Sequence, residues 1–134
     1  MNVLLDTNIV IDILSKREGY MNSLRILRCC ETKKLEGYIS AITVTDIMYI
    51  LRKHVSPTGL RESMQTLLSV VDVADVLKVD IKRAFSSGAK DFEDAVQAAC
   101  AQRIKAEYIV THNLRDFEKS AIPAISPANL LELL

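Results

Sequence analysis

Four aspartates are spaced so that each follows, or lies near the start of, a different predicted element. Asp6 directly follows an apolar run, and Asp46 lies in the first two turns of a predicted helix. Asp94 lies one turn into an alanine-rich helix, three residues after Asp91, and Asp116 follows a later strand. If these acids converge, their repulsion requires a divalent cation or raised pKa values. An acidic cluster without histidine or cysteine ligands is typical of Mg²⁺ or Mn²⁺ sites that act on phosphodiesters.

The same acids also have a structural interpretation. Acids near helix starts cap the helix and interact favourably with its dipole, each contributing a few tenths to about 1 kcal/mol. That explanation is adequate for Asp91, and for Asp46 taken alone. It explains Asp6 poorly, because a carboxylate at the end of a buried strand loses hydration and has no basic neighbour in the sequence.

The elements that would position these acids alternate between strands and helices. Short apolar segments predict strands at residues 3–5, 38–41, 70–73 and 108–111, with a further apolar piece at 122–125. Helices are predicted after Asp6, where Thr7 or Asn8 would cap the helix, from about residue 128, and over residues 21–35, 43–53, 59–68, 75–85 and 91–105. This alternation predicts a three-layer α/β/α sandwich with a central, mainly parallel sheet. Ligands bind such sheets at the carboxyl ends of the strands.

Length and charge restrict the functional classes. The 134 residues predict a single domain over 1–134, and the 17 basic and 17 acidic residues exclude a globally basic nucleic-acid binder. Zero net charge still permits an acidic cluster balanced by basic residues elsewhere. No segment has the composition of a membrane helix or signal peptide, and three unevenly spaced cysteines favour buried thiols in a reducing cytoplasm.

The residues around the four aspartates form four ordered motifs. They are LLDTNIVID at 4–12, SAITVTD at 40–46, DFEDA at 91–95 and THNLRDF at 111–117. Together they resemble the PIN domain family over nearly the whole chain. The resemblance implies a PIN-like α/β/α fold and a Mg²⁺- or Mn²⁺-dependent ribonuclease. Many small members are VapC-type toxins of toxin–antitoxin pairs, so it also implies RNA, a cognate antitoxin and a homodimer.

The motifs also imply roles for individual residues. Asp6, Asp46, Asp94 and Asp116 match the acidic positions that bind metal and support catalysis, although Asp46 stands where glutamate is common. Asn113 occupies the other position of the fourth motif at which an acid is found, so the fourth carboxylate is assigned to Asp116. Supporting roles, such as holding water or phosphate or orienting Asp6, are expected for Thr7, Asn8, Asp91, Thr111 and Asn113.

RNA binding requires cations near these acids. We expect Arg115 to be the first of them, because it adjoins the fourth acid. Further candidates follow the first helix and the helix that carries Asp46, and these are Lys16, Arg17, Arg52, Lys53 and His54. We expect His112 to face solvent and Asp12 to be a surface acid or salt-bridge partner. The tyrosines and phenylalanines are predicted to lie mostly in the core, with no stacking platform.

Three alternative functions remain open from the sequence. The first is a catalytically weak PIN domain that binds RNA or a protein partner. The second is a receiver-like domain phosphorylated on an aspartate, although it normally has paired acids after the first strand and a late lysine. The third, a haloacid-dehalogenase-type phosphatase, requires a second aspartate where this chain has Asn8.

Overall fold

Five short strands form the central sheet, which is parallel throughout. In the computed structural model, which describes residues 1–134, the strands are β1 (Asn2–Leu5), β2 (Glu36–Ser40), β3 (Asp72–Ala74), β4 (Tyr108–Val110) and β5 (Ala124–Ile125). Their order across the sheet is β3-β2-β1-β4-β5. The predicted parallel α/β sheet is therefore confirmed.

The strand order creates a switch point between β1 and β4. From β1 the chain builds towards β3 at one edge, and from β4 it builds towards β5 at the other. A crevice forms at the carboxyl ends of strands at such a point, and here Asp6 follows β1 and Thr111 follows β4. The order also differs from the 2-1-3-4-5 arrangement of receiver-like folds, so the receiver-like hypothesis is wrong.

Seven helices cover the two faces of the sheet: α1 (Thr7–Ser15), α2 (Tyr20–Glu31), α3 (Ala41–Ile50), α4 (Pro57–Leu68), α5 (Lys78–Ser86), α6 (Phe92–Arg103) and α7 (Pro127–Glu132). Side chains of β1 alternate between two cores: Val3 and Leu5 pack with residues from α1, α2, α3, α4 and α7, and Leu4 packs with Ile109 and Phe117. This is the predicted three-layer sandwich. None of the helices combines the length and apolar character needed to cross a bilayer.

Two predicted helix boundaries in the first half are wrong. Asp6, rather than Thr7 or Asn8, caps α1 and accepts a hydrogen bond from the Thr7 amide. Helix α2 ends at Glu31, not at residue 35, and Lys33 adopts a left-handed φ of 64°. Gly37 lies within β2, where an added Cβ would come within 2.6 Å of Cys30 Sγ, so glycine permits the close approach of α2.

The segment before α5 also differs from the prediction. Strand β3 begins at Asp72 rather than residue 70, and α5 begins at Lys78 rather than residue 75. The buried Asp80 explains the late start, because its carboxylate accepts a 2.9 Å hydrogen bond from the Leu77 amide. Asp80 also forms a 3.0 Å ion pair with Arg103, which fixes α5 against α6.

Several aromatic side chains lie outside the core, contrary to the prediction. Tyr49, Phe85 and Phe92 are 65%, 76% and 42% exposed, whereas Phe117 is buried. Hydrophobicity favours burial of each ring, but the elements that carry these residues direct them away from the sheet. They are therefore available for contacts outside the domain.

Candidate active site

Asp6 is a buried carboxylate held by three donors. It is 7% exposed. It accepts hydrogen bonds from the Thr7 amide at 2.8 Å, Thr111 Oγ1 at 2.8 Å and Gln97 Nε2 at 3.4 Å. Burial raises the pKa of Asp6, the three hydrogen bonds oppose that rise, and repulsion from Asp116 adds to it. The three hydrogen bonds therefore fix the orientation of the Asp6 carboxylate, although burial disfavours its ionised form.

Asp94 shares this negative site. It lies in the first turn of α6, where the Asp91 carboxylate caps the helix by accepting a 2.9 Å hydrogen bond from the Asp94 amide. Burial raises the pKa of Asp94 to about 7, with further contributions from repulsion by Asp91, Asp6 and Asp116. The structure thus brings three of the four predicted acids into mutual electrostatic contact.

No lysine or arginine side chain forms an ion pair with an acid of this cluster. The ion pairs of the structure involve other acids, namely Glu31, Asp80 and Asp12. The carboxylates of Asp6, Asp94 and Asp116 therefore repel one another without a direct counter-charge. A site of this kind is electrostatically suited to a cation from solution.

Asp46 contacts a fifth acid that the sequence did not single out. A hydrogen bond with Asp46 raises the pKa of Glu93 to about 7, assisted by burial and by repulsion from Asp46, Asp91 and Asp94. Glu93 therefore connects Asp46 to the cluster around Asp94. The glutamate was missed because an acid in the first turn of a helix is explained by the helix dipole alone.

Thr111 positions Asp6 through its hydroxyl. The hydroxyl donates to Asp6 and accepts from the Asn113 amide at 3.0 Å and from Asn8 Nδ2 at 3.3 Å. These three bonds use its one donor and both acceptor sites. Asn8, expected to orient Asp6, therefore acts through Thr111. Thr111 acts on the carboxylate and has no hydrogen-bonding capacity left for phosphate.

Gln97 extends the network behind Asp6. It is 1% exposed, and its Nε2 donates to Asp6 and, at 3.1 Å, to Thr43 Oγ1. Thr43 in turn lies 3.0 Å from the hydroxyl of Thr7. Gln97 and Thr43 were both missed by the sequence analysis. The available signal for Gln97 was its place three residues after Asp94, which puts the two on one face of α6.

Asp12 and His112 join α1 to the turn after β4. Asp12 is 6% exposed and accepts a hydrogen bond from Ser23 Oγ at 3.3 Å. It also pairs with His112 Nε2, and the His112 amide donates to Asn8 Oδ1 at 3.4 Å. Asp12 is thus a salt-bridge partner and not a surface acid. The pair holds the turn that carries Thr111 against the helix that Asp6 caps.

A cavity of about 480 Å³ opens beside Asp94 and Asp116. Arg115, the first predicted RNA contact, lines it. Two further cations, Lys90 and Lys119, also line it and were missed because they lie in loops outside the motifs. Its remaining lining residues are Ala89, Asp91 and Glu118.

The other predicted RNA contacts lie away from this cavity. Arg17 follows the far end of α1, roughly 15 Å from Asp6 at the helical rise of about 1.5 Å per residue. Arg52 stacks at 3.7 Å over the ring of Tyr49, and Lys53 follows it after the end of α3. These cations are exposed, but the structure does not bring them to the acids.

The acids fit a hard divalent cation by chemistry and charge. Their donors are carboxylate oxygens, which Mg²⁺ and Mn²⁺ prefer. The Oε1 atom of Gln97, in the same network as Asp6, is buried without a donor, as expected where water or an ion completes a site. In the present side-chain arrangement no three acidic, histidine or cysteine side chains surround one common point. A cation held by one or two of these carboxylates and by water would be compatible with this arrangement.

The raised pKa of Asp94 predicts a pH-dependent stability of the metal-free protein. The folded state binds the Asp94 proton more tightly than the unfolded state, so stability falls as pH rises from about 4 to about 7. Asp94→Asn removes this effect. Allowing for solvent screening, we expect the variant to be more stable than the parent by about 1 to 2 kcal/mol at pH 8, and by less at pH 4.5. Urea unfolding in EDTA measures the stability difference between the variant and the parent at each pH. An equal difference at pH 8 and pH 4.5 would show that protonation of Asp94 does not cause the effect.

Comparisons with known proteins identify the family of the chain. The family model of the PIN domain matches residues 2–115. No match is found among curated proteins.

Three solved structures illustrate the structural likeness. A chain of the VapBC2 complex from Rickettsia felis, bound to promoter DNA, has a TM-score of 0.73 at 20% identity, covering 94% of this chain and 98% of that one. A chain of a toxin–antitoxin complex from Klebsiella pneumoniae has a TM-score of 0.71 at 25% identity, covering 93% of this chain and 97% of that one. VapC20 of Mycobacterium tuberculosis, a toxin that cleaves the sarcin–ricin loop, has a TM-score of 0.65 at 13% identity, covering 80% of this chain and 86% of that one. The chain belongs to the PIN domain family, and its structural neighbours include a chain of a toxin–antitoxin complex and an RNA-cleaving toxin.

Proposed function

We propose that this protein is a divalent-metal-dependent endoribonuclease that hydrolyses RNA phosphodiester bonds. The observation that carries the proposal is the cluster of Asp6, which follows β1 at the switch point of the sheet, with Asp94 and Asp116, since none of the three forms an ion pair with lysine or arginine. The family match and the RNA-cleaving toxin among the structural neighbours support the same activity.

The roles of the residues follow from their positions. Asp6, Asp94 and Asp116 would hold Mg²⁺ or Mn²⁺, together with Asp46, whose neighbour Glu93 is a further candidate ligand. A bound divalent cation would neutralise charge on the phosphodiester and lower the pKa of an attacking water. Thr111 and Gln97 hold the Asp6 carboxylate in one orientation, because both donate hydrogen bonds to it.

We also propose that the protein is the toxin of a toxin–antitoxin pair. Its structural neighbours include chains from VapBC and other toxin–antitoxin complexes. A small antitoxin protein and a second copy of this chain are accordingly the proposed protein partners. Co-expression with a small protein encoded next to it should relieve growth inhibition if the proposal is right.

The activity is tested by incubating the purified protein with a mixed RNA pool in Mg²⁺, in Mn²⁺ and in EDTA. We expect discrete cleavage products with either cation and none in EDTA. Equal cleavage in EDTA would contradict the metal dependence. The absence of cleavage in both cations would contradict the activity.

A catalytically weak binding module is the second candidate. It is favoured by one observation, namely that no three potential ligands surround a common point in this arrangement. Binding of Mn²⁺ without cleavage of any RNA pool would favour this candidate over the nuclease.

A further inference from the structure

Two phenylalanines lie exposed where α5 ends and α6 begins. Phe85 is 76% exposed and Phe92 is 42% exposed. Their ring centroids are 4.5 Å apart, with an angle of 43° between the ring planes. Exposed rings leave a large apolar area in water, and two in contact form a patch rather than isolated surface residues. The Phe85–Phe92 pair is therefore a candidate binding surface.

Cations flank this pair on α5. The helix exposes Lys78 and Lys82, which lie seven and three residues before Phe85 and therefore on the same face of the helix, whereas its one acid, Asp80, is buried and neutralised by Arg103. The exposed face of α5 is thus basic in a protein whose formal net charge is zero. A basic surface around an aromatic pair is complementary to a polyanion that contains aromatic bases, that is, to a nucleic acid.

The loop before Phe92 reaches the candidate active site. Phe92 directly follows Asp91, which lines the cavity beside Asp94. Lys90 and Lys119 line the same cavity, and Lys119 Nζ donates to the Gly88 carbonyl at 3.2 Å, within the loop that joins α5 to α6. The aromatic pair therefore adjoins the loop that borders the acids proposed to cleave RNA.

We infer that the Phe85–Phe92 pair binds single-stranded RNA by stacking against a nucleobase close to the cleaved phosphodiester. Stacking on an aromatic ring requires a base that has left its helix, which selects single strands over duplex. The cations of α5 and of the cavity bind the phosphates on either side. This inference rests on the proposed nuclease function and adds the aromatic residues that contact its substrate.

A second copy of the chain fits this surface less well than RNA. A symmetric dimer through the pair would bring Lys78 and Lys82 towards the same cations of the other copy. Like charges facing one another oppose association. The charge of the surface therefore favours a polyanion as its occupant.

The test measures binding separately from cleavage. Asp94→Asn protein in EDTA is titrated into a fluorescein-labelled single-stranded oligouridylate, and Kd is read from fluorescence anisotropy. Adding Phe85→Ala should raise Kd about tenfold, the loss of one base–aromatic stack. Phe85→Trp should keep the affinity within about twofold, because it retains a ring. Leu133→Ala, which removes an exposed apolar side chain outside the surface, should leave Kd unchanged.

Two further measurements identify the occupant. A duplex RNA of equal length should bind with the same Kd whether residue 85 is phenylalanine or alanine. Sedimentation velocity should show the same oligomeric state for the protein with and without the Phe85→Ala substitution. An unchanged single-strand Kd for Phe85→Ala would overturn the inference, and so would dissociation of a dimer by that change. Failure of the nuclease proposal would appear separately, as wild-type protein that does not cleave RNA in Mg²⁺ or Mn²⁺.

Discussion

Asp94→Asn is expected to lower the rate of RNA cleavage about 1000-fold or more while leaving the fold intact. The substitution keeps the size of the side chain but removes a carboxylate, the proposed metal ligand, from the cluster with Asp6 and Asp116. Metal-assisted stabilisation of transition-state charge is worth several kcal/mol, and about 4 kcal/mol corresponds to three orders of magnitude in rate. Initial rates on one RNA substrate in Mn²⁺ measure the loss.

A matched control separates this effect from a general change in charge. Asp72→Asn makes the same chemical change at an exposed acid on the first residue of β3, the edge strand two places away from β1. Its cleavage rate should stay within about twofold of the parent. Similar rates for Asp94→Asn and the parent would remove Asp94 from the proposed active site.

Arg103→Met is expected to destabilise the protein by about 3 kcal/mol or more. Arg103 Nε donates to both oxygens of Asp80, at 3.1 and 3.0 Å, and the Asp80 side chain is fully buried. Removing the guanidinium leaves a buried carboxylate without a counter-charge, which typically costs about 3 to 5 kcal/mol. The whole free energy of unfolding of a small domain is only about 5 to 15 kcal/mol. Urea unfolding at pH 8 measures the loss.

The double variant Asp80→Asn/Arg103→Met provides the control. Asparagine removes the unpaired charge and can still accept the hydrogen bond from the Leu77 amide, so most of the lost stability should return. A double variant as unstable as Arg103→Met would show that packing of the arginine side chain, rather than its charge, holds α5 against α6.

The sheet could be predicted from the sequence because its strands are short apolar runs between amphipathic helices. The run before Asp6 illustrates this, since Val3, Leu4 and Leu5 are all completely buried. The start of α5 could not be predicted in the same way. It depends on Asp80 bonding both the Leu77 amide and Arg103, and the arginine lies 23 residues away in the chain.

The candidate site could be predicted where a functional side chain directly follows a strand. Asp6 and Thr111 follow β1 and β4, and the structure joins them by a hydrogen bond across 105 residues. Gln97 and Glu93 were missed because a single polar residue on a helix has an ordinary explanation as a surface group. Only the packing of α6 against the end of the sheet reveals that Gln97 is buried against Asp6.

The proposed nuclease function depends on binding of a divalent cation by the acidic cluster. Mn²⁺ binding to RNA-free protein can be followed by electron paramagnetic resonance between pH 6 and 8. Binding should tighten as pH rises, because Asp94, with its pKa raised to about 7, must lose its proton to bind metal. Asp6→Asn/Asp94→Asn should abolish binding. Equal Mn²⁺ binding by the parent and this double variant, or none by the parent, would show that the acidic cluster is not a metal site.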